Sequence, residues 1–203
     1  MTRGTSPVKE WAHNARLEVT MYLRHVRGLL IPGITVAIVQ TDTLEPGSLD
    51  GWDDDALWIV VDEGRRQIDR QAGRFDRIRS GAQLLFTTAL ALLVVLGASA
   101  HRVLHREGVV LSVGWVVGLV AVASGTLGAA AILTVKAEFG SIHTALLSRS
   151  GPEPLRELAV AYTQQVRAGE NTLNARVTVY RDAVWLVLVG ALAQLIVWIT
   201  AVA

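Results

Sequence analysis

Among its 203 residues the chain has no cysteine, five prolines and only two lysines, Lys9 and Lys136; the other basic residues are all arginine. Without cysteine there are no disulfides and no thiolate sites for zinc or iron–sulfur clusters. Nineteen basic residues against eighteen acidic ones leave a net charge of +1. Nucleic acid demands a concentrated basic face, so no nucleic-acid partner is expected. Catalytic signatures are missing as well. There is no G-x-x-x-x-G-K-[ST] phosphate loop, no G-x-G-x-x-G, no G-x-S-x-G elbow, no H-E-x-x-H and no kinase set. Neither an enzyme nor a cofactor is expected. The acidic stretch Asp42, Glu45, Asp50 and Asp53–Asp55 lacks the spacing of a calcium loop. His101 and His105 lie four apart but have no third ligand nearby, so no metal site is expected either.

What the chain does have is three long uncharged runs, Ala82–Ala100, Val109–Val135 and Ala183–Ala203. At about 1.5 Å per residue each can cross roughly 30 Å of hydrocarbon. The expected fold class is an all-α membrane protein with three transmembrane helices. None of the runs contains Asp, Glu, Lys or Arg. An ion-coupled transporter usually places one there, so that function is not expected.

The runs divide the chain. Residues 1–50 form an amphipathic or irregular N-terminal segment. Val8, Trp11, Ala15, Val19, Tyr22, Val26 and Leu30 share one helical face, which fits a helix packed on the protein or one lying on a membrane. Leu17, Val19, Met21 and Leu23 also alternate, which leaves a strand open as the second reading. An arginine-rich helix over 53–81, capped by the acids at 53–55, leads into the first span, 82–100. A loop-like outer link, 101–108, precedes the second span, 109–135. A connection, 136–153, precedes a second charged helix, 154–182, which runs into the third span, 183–203. Two long helical extensions are therefore continuous with spans 1 and 3.

Apolar positions in the first extension, Leu57, Val61, Gly64, Ile68, Gln71, Phe75, Ile78, Ala82 and Leu85, alternate in steps of four and three. That is the seven-residue seam of a coiled coil. Tyr162, Val166, Gly169, Leu173, Val177, Tyr180, Val184, Leu188, Ala191, Leu195 and Ile199 instead step four, three, four. They predict an eleven-residue period in the second extension and third span.

Arginine and lysine counts set the orientation. Segments 62–80 and 136–182 hold six each and the 101–108 link holds two. The excess of positive charge inside places the N-terminus and both extensions in the cytoplasm, and the C-terminus outside the cell membrane.

Three sets of residues are candidates for a role. Arg66, Arg70, Arg74 and Arg77 form a basic stripe. It fits a solvated face beside anionic headgroups, or a site for a phosphate-bearing ligand or for the acidic 42–55 loop. Asp62 with Arg66, and Arg65 with Asp69, are spaced to pair along the helix. Gly114 and Gly118 make a GxxxG that Ala121, Gly125 and Gly128 extend, a face on which membrane helices approach closely. Gln194 lies within the third span and is expected to face Thr87, Thr88, Ser124 or Thr126. Trp185 and Trp198 are placed for the two aromatic belts.

The stretches Arg74-Phe-Asp-Arg-Ile-Arg-Ser-Gly-Ala-Gln-Leu-Leu85, Leu158-Ala-Val-Ala-Tyr162 and Asn174-Ala-Arg-Val-Thr178 carry a resemblance in layout. Over residues 57–200 the chain resembles small prokaryotic membrane effectors of nucleotide-signalled antiphage systems, the SLATT and Pycsar transmembrane families. Those families usually have two spans, and residues 1–50 have no counterpart in them. The resemblance carries over no site residue. It implies a homo-oligomeric, membrane-perturbing or sensing protein of antiviral defence, partnered by lipid and by a nucleotide or protein signal. A scaffolding subunit of a larger membrane complex is the alternative.

Overall fold

The computed structural model describes residues 20, 22–24, 26, 49, 51–106, 108–134 and 153–202. Among them there is no strand. Three long helices follow in order: α1 (Asp54–Arg106), α2 (Val109–Thr134) and α3 (Pro154–Val202).

The start of α1 is built by its acids. The Asp53 carboxylate accepts the Ala56 amide at 2.9 Å, and its carbonyl accepts the Leu57 amide at 3.0 Å. This is a side-chain N-cap worth about 0.5–2 kcal/mol. Asp54 and Asp55 fill the first turn, against the positive end of the helix dipole. Just before it Gly51 has φ +81°, a conformation that side chains with a Cβ rarely adopt. α3 begins at Pro154, whose missing N–H would have had no intrahelical partner in the first turn.

α1 passes through Ser80-Gly81 without interruption, as read from the sequence. It also continues through His101–Arg106, where the sequence pointed to a loop. Nothing from Ala98 to Arg106 is proline or glycine, so nothing there breaks the hydrogen-bond ladder. Gly108 begins the next helix, its carbonyl accepting Leu111 and Ser112 amides at 3.0 and 3.2 Å.

The chain forms two compact units, to both of which α1 and α3 contribute. The first holds Ser80–Val135 and Val177–Ala203, together with Met1–Val36. Its interior is small: Ala89, Leu96, Val122, Ala129 and Ala183 are buried. Its surface is large and apolar, with Val110 84% and Val94 72% exposed. Such an inverted arrangement suits a hydrocarbon solvent, in which helices associate by close packing and not by excluding water. Three helices are long and apolar enough to cross a membrane. In α2 50% of the most apolar 18-residue window is buried, against 17% in α1 and 22% in α3. The glycine-rich helix is thus the packing centre of this unit. Gly128 lies beside Ala183, where the apolar part of α3 begins, so residues 129–134 run on past that level.

Residues 20, 22–24 and 26 also pack into this unit as helix and not as strand. Tyr22 and Val26 are buried, while Leu23 and Arg24 are exposed. The rest of the N-terminal face, from Val8 to Val19 and at Leu30, and the 42–48 loop lie outside the described residues, as does most of the 136–153 connection.

The second unit holds Ala37–Arg79 and Lys136–Arg176. Leu49, Leu57, Val60 and Val61 pack on Ala159, with Leu155, Leu158 and Tyr162 around them. Full burial of side chains of this size contributes about 1.5–3 kcal/mol each. Here α1 buries the expected seam: Leu57, Val61, Gly64, Gln71 and Phe75 are buried, Ile68 and Ile78 half-buried. Gly64 lets α3 come close, since a Cβ there would stand 3.0 Å from Tyr162 Cβ.

The expected seam of α3 does not hold along its length. Val177, Leu188, Leu195 and Ile199 are exposed. Buried are Ala159, Val166 and Leu173, continued at Val187, and Gly169, Arg176, Ala183, Gly190 and Val197; Thr163 and Val179 are buried too, outside these two sets. Both sets keep a seven-residue spacing, matching α1. The eleven-residue period follows bulky apolar residues, which in the third span face outward.

Candidate functional site

The basic stripe lies where the sequence placed it. Arg66, Arg70, Arg74 and Arg77 are all exposed on α1. Arg66 pairs with Asp62 at 2.8 Å. Arg70 reaches Glu63, seven residues back, and Gln67 donates to the same carboxylate at 3.3 Å. Hydrogen bonds from Gln67 and then Arg70 hold the Glu63 carboxyl below the usual carboxylate range. Arg77 Nε donates to the Gly73 carbonyl at 3.2 Å. Arg65 and Asp69, also four apart, form no ion pair. Exposed pairs of this kind add at most about 1 kcal/mol each. The stripe does little for stability, and its guanidinium groups are presented to solvent.

A second constellation, inside the second unit, was only partly visible in the sequence. The Arg176 side chain is 1% exposed, and its guanidinium stacks over the Phe75 ring, 4.4 Å from the centroid. Burial, then repulsion from Arg79, lowers its affinity for the proton. Gln71 is 4% exposed; its Nε2 donates to the Val166 carbonyl at 3.0 Å, while its Oε1 is buried without a hydrogen-bond partner among the described residues. Gly169 makes room for it, since a Cβ there would come within 2.1 Å of that oxygen. A polar layer therefore fixes α1 against α3 in this unit. Recurrence of Gly169, Arg176, Ala183, Gly190 and Val197 every seven residues was the signal that could have revealed Arg176. A charged residue at a seam position hid it.

In the first unit the polar groups converge on Trp115, which the sequence reading left out. Its Nε1 donates to Ser99 Oγ on α1 at 3.2 Å. Its carbonyl accepts Gln194 Nε2 from α3, also at 3.2 Å. Gln194 thus does face a neighbouring helix, but its partner is a backbone carbonyl and none of the expected hydroxyls. The reason is Gly118: a Cβ there would stand 2.5 Å from Gln194 Nε2. Thr126 instead donates to its own helix, at the Val122 carbonyl, 2.7 Å away.

The small-residue face is likewise in use. Gly118, Gly125 and Gly128 are buried, and Gly114 and Ala121 are half-buried. Cβ atoms at Gly125 and Gly118 would approach the Ala183 and Gly190 carbonyls at 2.9 and 3.3 Å. Gly114 meets Val197 at 3.3 Å. At Gly128 the notch receives Tyr22, whose hydroxyl donates to the Ser124 carbonyl at 2.8 Å. Trp185 and Trp198 are exposed, thirteen residues apart on α3, about 20 Å along the axis. That separation is shorter than the roughly 30 Å of hydrocarbon between two interfacial belts, so the two side chains do not both reach an interface on a helix lying along the membrane normal.

The arrangement joins exposed cationic groups on α1, a buried polar layer in one unit and a tightly packed apolar unit. Comparison with known proteins finds no matching family model, no similar curated protein and no similar solved structure.

Proposed function

We propose that the protein is a non-enzymatic, homo-oligomeric membrane effector. Its charged helices, on the cytoplasmic side, receive a nucleotide or protein signal, and its three spans perturb the membrane in response. The observation that carries this reading is the continuity of α1 and α3, each a single helix that begins in a charged segment and ends in an apolar one. A twist or displacement imposed on the charged part of such a helix is passed along its backbone hydrogen bonds to the apolar part. The exposed arginines of α1 are groups that would bind a phosphate-bearing signal or anionic headgroups. The resemblance in layout to antiphage effectors agrees with a role in defence.

Inducible expression in cells loaded with a potential-sensitive dye tests the proposal. Depolarisation is expected at high expression or on arrival of the signal; an unchanged potential in both conditions overturns it. The alternative, a scaffolding subunit, draws on the wide exposed apolar surface of the first unit, which other membrane proteins could cover. Purification in mild detergent separates the two readings. A scaffold brings a heterologous partner, whereas an effector runs as a homo-oligomer.

A further inference from the structure

The outward faces of the three apolar helices differ in kind. On α3 the exposed side chains are large and apolar: Trp185, Leu188, Leu192, Leu195 and Ile199. On α2 they are Val109, Val113, Val116, Val120 and Leu127. On α1 the exposed surface also has large apolar side chains, Leu84, Leu90, Val94 and Val95, but Gln83, Thr87, Thr88, Ala91, Gly97 and Ala98 are interleaved with them. Together these ten recur in two adjacent rows, 83, 87, 90, 94, 97 and 84, 88, 91, 95, 98, with steps of four and three, so they form one mixed face. Thr87 turns its hydroxyl back to the Gln83 and Leu84 carbonyls, at 3.2 and 2.9 Å. Neither the Gln83 amide nor the Thr88 hydroxyl bonds to any described residue. Small and polar residues are what membrane helices bury against one another, and an amide facing lipid is unfavourable.

The charged half of α1 adds complementarity. Asp62, Asp69 and Asp76 recur every seven residues, next to the row of Arg66, Arg70, Arg74 and Arg77, and all seven are exposed. Asp69, Asp76 and Arg74 have no ion pair among the described residues. In a parallel arrangement of two such helices the acidic row of one copy meets the basic row of its neighbour. Heterologous contacts of that kind give rings where the rotation between copies closes and open filaments where it does not.

We infer that the outward face of α1 is the docking surface for a second copy of this chain, lying parallel to the first. The inference rests on the homo-oligomeric reading above and names the helix face that makes it.

Because the chain has no cysteine, single cysteines report proximity without background. The full chain carrying T88C, A91C or A98C on α1, or V117C or L192C on the other faces, is oxidised in native membranes. Several-fold more cross-linked dimer is expected from the α1 positions than from Val117 or Leu192. Equal or weaker cross-linking from α1 overturns the inference, as does a product whose mass is not that of two chains. The mass of the cysteine-free chain in mild detergent is measured in parallel. An oligomeric mass without α1 cross-links removes this face but leaves the homo-oligomer standing; a monomeric mass removes both.

Discussion

Gly118 and Gly190 touch through their backbones. A Cβ on Gly190 would stand 2.9 Å from the Gly118 carbonyl oxygen, and one on Gly118 would stand 3.3 Å from the Gly190 carbonyl oxygen. A methyl on Gly190 does not fit without moving a helix, whereas one on Gly118 chiefly displaces the Gln194 side chain. Gly190→Ala and Gly125→Ala should therefore each destabilise the fold by about 1–3 kcal/mol, the usual cost of overpacking. Gly97→Ala, with nothing within 4 Å of the new methyl, should change stability by no more than about 0.5 kcal/mol. Unfolding in detergent, followed by loss of helical circular dichroism, gives the comparison.

Gln194 and Gly118 should be energetically coupled. Gly118→Ala places a methyl against the Gln194 amide and breaks its bond to Trp115, and Gln194→Ala removes the amide itself. A hydrogen bond between membrane helices contributes about 0.6 kcal/mol on average. The double variant should lose measurably less stability than the two single losses added together. Strict additivity in this cycle would show that the two side chains do not meet.

Truncating Phe75 removes both an apolar core residue and the ring beneath the Arg176 guanidinium. Phe75→Ala should cost about 3–5 kcal/mol. Gln71→Leu should be nearly neutral, because it removes a buried unbonded oxygen together with one hydrogen bond. The Val166 carbonyl, being inside α3, keeps its helical partner. Both values are measurable by the same unfolding experiment, and a large loss from Gln71→Leu would contradict the geometry.

Tyr22 should confer a pH dependence at the alkaline end. Burial, and then the Asp182 carboxylate, push its phenol from 10.0 up to about 12. With the folded value above the unfolded one, the contribution is fully present below pH 10 and is lost as pH rises toward 12. Tyr22→Phe should lower stability at neutral pH by about 0.5–1.5 kcal/mol through loss of the bond to Ser124. The stability gap between wild type and variant should shrink above pH 10.

Changing Arg66, Arg70 and Arg74 together to Glu tests the stripe. All three are exposed, and the pairs they form within the chain are weak, so the fold and its helicity should survive, whereas assembly should weaken because Glu here would face the acidic row of the neighbouring copy. Signal response or lipid association should fall if the stripe is the receiving surface. Retention of assembly and activity alike would identify a solvated face and nothing more.

The unit containing Leu57–Phe75 was legible in the sequence because burial and hydrophobicity coincide there, and the seven-residue pattern marks the interior. Past Tyr180 that coincidence ends. In the third span Leu188, Leu195 and Ile199 are as apolar as any core residue yet face outward, while Ala183 and Gly190 are buried. Size, not hydrophobicity, separates inside from outside, and a pattern drawn on apolarity follows the wrong face. The glycine run of α2 was readable on this basis, since only smallness was sought there. The partner of Gln194 was not, because a search for hydroxyls overlooks a carbonyl uncovered by a glycine.

The hydroxyls of the apolar unit have a consequence for how the protein is made. Thr87, Thr126 and Thr200 donate to carbonyls within their own helices, and Ser99 does the same toward Leu96. Each of these groups is therefore satisfied within its own helix, before any neighbour is present. Trp115 and Gln194 reach across, to Ser99 and to the Trp115 carbonyl, as Tyr22 does to the Ser124 carbonyl. Ser99 is synthesised before Trp115, so the first helical hairpin can close as soon as it emerges. The amide of Gln194 is made last, 79 residues after the Trp115 carbonyl that accepts it. Docking of the last helix is then the step that locks the unit, and a ribosome stalled just short of Gln194 would leave two helices inserted and the third unfastened.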